Sequence, residues 1–170
     1  PSVLELDQSA FVVNSFSKYF GMTGWRLGWI VLPQEHIEMA TILAQNMYIS
    51  ASSISQYAAL AAFTPEAKRI FEERREAFRH RRDFLTEALK SMGFLLCDNI
   101  QGAFYVYVDI SKFSDDCEKF CHDMLEDHGV AMTPGTDFGD FESKSHVRIA
   151  FTTDMDSLEL GVQRLQSALL

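Results

Sequence analysis

The chain has 170 residues, 47% hydrophobic and 23% charged, and its 15 Lys and Arg against 24 Asp and Glu give a net charge of −9. That balance is globular and the length suffices for one solid core, which excludes a disordered, collagen-like or disulfide-built chain. The acidic excess argues against nucleic-acid and anionic-membrane partners, and no apolar run approaches the roughly 18 residues needed to span a bilayer.

In chain order, Phe11-Val12-Val13-Asn14 and Leu27-Gly28-Trp29-Ile30-Val31-Leu32 read as strands, and such unbroken apolar runs suit strands covered on both faces. Helical spacing of Ile37, Ala40, Thr41 and Ala44 follows; Ser50-Ala51-Ser52-Ser53 interrupts it, and a further helix spans Ser55 to Ala62. Thr64 at an N-cap and Pro65 at the first helical position open the clearest element. Its apolar residues recur at helical spacing from Ala67 to Met92, and Gly93 ends it. About 28 residues at a rise of about 1.5 Å make roughly 40 Å, a spine joining two structural units. Arginines and acids interleave along its polar face, as on a solvated face rather than a nucleic-acid patch.

Beyond Gly93, Phe94-Leu95-Leu96 and Ala103-Phe104-Tyr105-Val106-Tyr107-Val108 suggest antiparallel strands. An amphipathic helix from Glu118 to His128 turns Phe120, Met124 and Leu125 inward. Val130-Ala131-Met132 leads into the turn Thr133-Pro134-Gly135-Thr136, His146 to Phe151 form a strand, and Asp154 to Leu170 a closing helix. Together these elements describe a small α+β unit. Cys97, Cys117 and Cys121 lack Cys-x-x-Cys spacing. Even with His122 and His128 nearby they offer no usable metal set, so no metal site is expected and the thiols read as reduced and structural, in the cytoplasm. The N-terminal residues have no basic head or apolar middle, and no signal peptide is expected.

Chemistry concentrates in Asn14-Ser15-Phe16-Ser17-Lys18-Tyr19-Phe20-Gly21-Met22-Thr23-Gly24-Trp25-Arg26-Leu27-Gly28-Trp29. Hydroxyls, glycine amides and an arginine fork are the parts of a phosphate cradle, and loops at strand ends are where α/β proteins place ligands. A lysine drawn in beside another cation and away from water is favoured as the neutral amine, the form that attacks a carbonyl. Phosphate, carbonyl and nucleophilic lysine point to pyridoxal 5′-phosphate. A lysine beside serines is also an ordinary surface feature, and the glycines could serve turns alone. Arg148 stands mid-strand, with period two placing His146, Arg148 and Ala150 on one face and Val147, Ile149 and Phe151 on the other. It needs a planar anion, either an internal carboxylate or a bound one, and His146 reads as packing or polar support.

The run Ser-Phe-Ser-Lys-Tyr-Phe-Gly-Met-Thr-Gly-Trp-Arg-Leu-Gly-Trp closely resembles the lysine signature of class I/II (fold type I) pyridoxal-phosphate aminotransferases. Gly102-Ala103-Phe104-Tyr105, Pro134-Gly135 with Phe138-Gly139, and His146 to Phe151 resemble later stretches of the same family, so the resemblance runs the whole chain. It implies that Lys18 forms the Schiff base and shuttles a proton, that Ser15 and Arg26, and more weakly Ser17, hold the cofactor phosphate, and that Arg148 takes the substrate carboxylate. The family's ring-binding residues, including an Asp-x-x-Tyr, lie upstream of its lysine, and Asp7 does not match that pattern. The resemblance therefore implies the C-terminal portion of such an enzyme, inactive or nearly so by itself: residues 1–63 from the large domain's last two strands and helices, 64–92 as connecting helix, and 93–170 as the complete small α+β domain with an antiparallel sheet flanked by helices. The expected reaction transfers an amino group between an L-amino acid and a 2-oxo acid, in a homodimer. A carbon–sulfur β-lyase or cyclopropane-forming synthase shares the lysine motif, and a non-catalytic, self-associating module is the alternative outside enzymology.

Overall fold

The computed structural model describes residues 2–169. They divide into two compact units, the first ending at Arg75 and the second starting at Glu76.

In the first unit β1 (Val12–Ser15) and β2 (Gly28–Val31) pair antiparallel, from Val12 opposite Val31 to Ser15 opposite Gly28. Both strands lie where the apolar runs place them. Cover on both faces, however, is not supplied by the described residues: Val13 is 76% exposed and every residue of β2 is exposed. The core lies to one side, where Phe16, Met22, Ala59, Ala62 and Phe71 are buried with Phe20, Leu27, Ala58 and Ala67 around them. Helix α1 (Ile37–Tyr48) buries none of its twelve residues. It ends at Ile49, ahead of the serines. Ile49 adopts φ 67°, ψ −67°, and Ser50 N–H donates to the Tyr48 carbonyl at 2.8 Å, a strained γ-turn unusual for a β-branched residue. Ser52 then caps α2 (Ser53–Ala61), its hydroxyl accepting from Ser55 N–H.

Helix α3 (Pro65–Met92) begins in the first unit and ends in the second. Ala67 N–H donates to Thr64 Oγ1 at 3.2 Å, the cap foreseen from sequence, and Gly93 follows at φ +92°, where a side chain would be strained.

The second unit is a four-stranded antiparallel sheet in the order β3 (Leu95–Leu96), β4 (Tyr105–Asp109), β6 (His146–Ala150), β5 (Thr133–Pro134). One face carries Val106, Val108, Val147 and Ile149, all buried with Leu85, Leu89 and Met92 of α3. Helix α4 (Cys117–His128) adds Phe120, Cys121 and Met124 to that core, and α5 (Met155–Leu169) adds Leu158, Val162 and Leu165. Pairing to β6 starts at Thr133, inside the stretch that reads as a turn. Pro134 is tolerated because β5 is the sheet's edge, where a missing N–H breaks no ladder.

Cys117 and Cys121 are core residues and Cys97 is exposed. Burial first, then the neighbouring Cys117 and Asp137, push the Cys121 thiol up to about 11. Among the described residues no group of three or more potential metal ligands comes together, and no helix is long and apolar enough to cross a membrane.

Candidate active site

The motif loop is built by sorting its side chains inward and outward. Phe16 is 6% exposed and its ring meets those of Phe20, Trp29 and Phe63 at 4.8, 5.1 and 6.0 Å. Such aromatic packing contributes beyond its buried area and fixes the loop's inner side. Ser15 and Ser17, which flank that ring in sequence, and Lys18 are left on the outside, with Ser15 and Lys18 exposed and Ser17 half-buried. Lys18 opens a tight turn: its carbonyl accepts from Gly21 N–H at 3.0 Å, and Gly21 takes φ +67°, which suits a residue without a Cβ. The turn is tied to α3, since Tyr19 Oη donates to Glu72 at 2.7 Å and the Tyr19 and Phe20 rings lie 5.4 and 5.7 Å from Phe71. That hydrogen bond raises the Tyr19 phenol pKa, and the same bond, aided by Arg75, holds the Glu72 carboxyl below its usual range.

Three of the expected phosphate ligands are joined by one polar chain. Ser15 Oγ accepts from Ser17 N–H at 3.0 Å and donates to Ser17 Oγ at 2.9 Å. Thr23 Oγ1 donates to the Ser17 carbonyl at 2.6 Å, and Arg26 Nη1 donates to the Thr23 carbonyl at 3.1 Å. Thr23 is the bridging residue that sequence reasoning missed; its place inside the Met-Thr-Gly-Trp-Arg stretch was the available signal. Arg26 itself sits in the left-handed region at φ 50°, ψ 49°, a conformation uncommon without glycine, and the buried Ser55 hydroxyl donates to the preceding carbonyl of Trp25 at 2.7 Å. Among the described residues no carboxylate lies in ion-pair distance of Arg26. Two hydroxyls and an exposed guanidinium, gathered without a competing acid, fit the phosphate of a bound cofactor.

Arg148 belongs to the second unit. On β6, Val147, Ile149 and the following Phe151 are buried at 0%, 8% and 1% exposure, while Arg148 points to the other side of the sheet, the alternation read from sequence. It stands opposite Tyr107 on β4 and Thr133 on β5, and its Nη2 donates to Thr133 Oγ1 at 3.3 Å. The guanidinium carbon lies 4.6 Å from the Phe138 ring centre and 5.1 Å from that of Tyr105. No carboxylate among the described residues pairs with it, so the internal salt bridge left open by the sequence is absent there. His146 stacks on Tyr107 at 5.0 Å with 10° between the rings, and its Nδ1 meets the Glu142 carbonyl at 2.8 Å, a supporting position.

A protein-family model for aminotransferase class I and II matches residues 2–165. The chain is 39% identical over 163 residues to the valine–pyruvate aminotransferase of Mycobacterium tuberculosis, an alignment covering 96% of this chain and 42% of that protein. To the (5-formylfuran-3-yl)methyl phosphate transaminase of Methanocaldococcus jannaschii it is 35% identical over 171 residues, covering 99% and 45%. Among solved structures it matches an aminotransferase from Mycobacterium tuberculosis with a TM-score of 0.96 at 39% identity, covering 99% of this chain and 44% of that one. A Thermus thermophilus aspartate aminotransferase double mutant gives 0.84 at 37% identity, covering 94% and 41%. The chain spans less than half the length of these relatives. On the match of the family model over residues 2–165, the chain belongs to the class I and II aminotransferases, a family of pyridoxal-phosphate enzymes of fold type I.

Proposed function

We propose that this chain carries the lysine and the phosphate-binding loop of an enzyme that transfers an amino group between an L-amino acid and a 2-oxo acid. The observation that carries the reading is the polar chain from Ser15 through Ser17 and Thr23 to Arg26, built around the turn that Lys18 opens. Pyridoxal phosphate, when bound, supplies an electron sink conjugated to the reacting carbon. The Ser15 and Ser17 hydroxyls and the Arg26 fork would hold its phosphate, donating hydrogen bonds to the phosphate oxygens. Lys18 Nζ would hold the cofactor through its carbonyl carbon, with the oxygen leaving as water, and as a free amine would take and return the proton of the substrate α-carbon. Arg148 receives the substrate carboxylate on its fork.

Incubating the chain with pyridoxal phosphate, reducing with borohydride and mapping peptides is expected to place the pyridoxyl mass on Lys18. Lys18→Ala should abolish that label while the other lysines label as before. Equal labelling spread over all lysines in the parent would sink the assignment. The lyase reading predicts ammonia or thiol release with no amino-group transfer, which product analysis of the active protein separates.

A second reading rests on exposed apolar surface in the first unit. Leu6, Val13, Met47, Ile49, Ile54, Tyr57 and Leu60 are each at least two-thirds exposed. Scattered apolar residues are normal on a surface, but these accompany a two-stranded sheet to which no further strand pairs among the described residues, and a helix with no buried residue. Self-association is expected, and a strictly monomeric mass by light scattering over a wide concentration range would refute it.

A further inference from the structure

Arg148 is held in an unusual way for a half-buried cation. Of the contacts described, one nitrogen spends itself on Thr133 Oγ1, and the flat guanidinium lies by two rings, Phe138 and Tyr105. A cation against a ring face is attracted by the ring's quadrupole, and a planar fork held against two rings loses rotational freedom that a carboxylate would otherwise have to remove on binding. The ring of Phe138 and the strand that carries Tyr105 have contacts of their own. Phe138 meets Tyr107 edge-on at 6.2 Å, and Tyr107 stacks on His146. Phe138 ends the short helical turn Gly135–Phe138, and Gly135 is so tightly surrounded that an added Cβ would overlap the Ser143 carbonyl and come within 2.7 Å of the His146 carbonyl and of Tyr107 Oη. Tyr105 is set by β4, on the open face of the sheet, one pleat along from Tyr107, which pairs with Arg148.

We infer that Phe138 and Tyr105 are positioning residues that clamp the Arg148 guanidinium as a fixed plate and present its fork, ready oriented, to a planar carboxylate. The inference rests on the reading of Arg148 as the carboxylate ligand and adds how that ligand is made selective for a flat anion taken in one orientation. The clamp works through geometry already present before binding, so its removal weakens anion capture without touching Lys18.

The test uses the full chain labelled with ¹⁵N-arginine. Two ring faces shift the Arg148 Nε–Hε signal by their ring currents, and Phe138→Leu and Tyr105→Leu are each expected to move it back, while Tyr105→Phe, which keeps the ring, leaves it in place. Titration with sodium pyruvate as probe is expected to perturb that same signal. Each Leu variant should weaken pyruvate binding about 2- to 10-fold, and Tyr105→Phe should bind like the parent. Both clamp residues are partly exposed, with Phe138 at 50%, so the variants should stay folded, and unchanged circular dichroism checks this. If Arg148→Gln abolishes the pyruvate response while both Leu variants bind like the parent, the clamp is overturned and the carboxylate reading stands. Should the parent show no pyruvate-dependent shift at Arg148, or Arg148→Gln bind as well as the parent, the carboxylate reading falls and the inference that rests on it falls with it.

Discussion

A Phe151→Ala variant is expected to lose about 3–5 kcal/mol of stability in the second unit, read as a lowered urea midpoint with an unchanged slope. Phe151 is 1% exposed and follows β6, with its ring 6.2 Å from Phe78 on α3 and its backbone N–H donating to the Phe104 carbonyl at 2.9 Å. Truncation keeps that backbone bond and removes only the ring, so the loss combines transfer energy with a cavity that β6 and the helices can fill only partly. Set against a typical total of about 5–15 kcal/mol, this is a large share. Because Arg148 sits three residues earlier, near-ultraviolet dichroism of its tyrosine neighbours should soften along with the core. A midpoint equal to the parent's would mean that β6, and Arg148 with it, is not anchored by this core.

Gly28→Ala tests the first unit in the same spirit, through space rather than through a lost contact. A Cβ at Gly28 would lie 2.5 Å from the Asn14 carbonyl oxygen and 3.5 Å from Ser15 Cα, both backbone atoms of the paired strand. Neither can swing away as a side chain would, so β1 and β2 must separate where Ser15 faces Gly28. Overpacking of this kind costs about 1–3 kcal/mol. The expected result is at least about a tenfold fall in pyridoxyl labelling at Lys18, equivalent to roughly 1.4 kcal/mol, although every proposed ligand remains in the chain. Gly24→Ala is the control: nothing lies within 4 Å of the added carbon, and the change should stay within about 0.5 kcal/mol with labelling intact. Parallel losses in both variants would point to the loop's general intolerance rather than to the strand contact.

Much of the fold was legible because its signals are local. Thr64, Pro65 and Gly93 bracket α3 by chemistry that acts within one helical turn. The alternation in β6 sorts buried Val147 and Ile149 from Arg148 without any knowledge of the partner strand. Less legible were features set by pairing or by strain. The interruption after α1 reads as the work of serines, yet the chain turns at Ile49, a residue whose own preference opposes the conformation it adopts. The short strand at Thr133 and Pro134 is invisible because two residues carry no periodicity, and only β6 beside them makes a strand of them. The apolar runs of β1 and β2 imply cover that the described residues do not supply, since hydropathy records a preference for burial and not the identity of what buries it.

The sequence by itself determined the lysine loop, its donors and the mid-strand arginine, because a gapless motif and a period of two are properties of neighbouring residues. Tertiary structure alone decided what surrounds them. Thr23 bridges Ser17 to Arg26 because a 3₁₀ turn folds it back over the loop. Phe138 and Tyr105 reach Arg148 from ten and 43 positions away, through an edge turn and a neighbouring strand whose register no local pattern encodes. Chemistry was written in residue types; the orientation of each group came from contacts between segments distant in the chain.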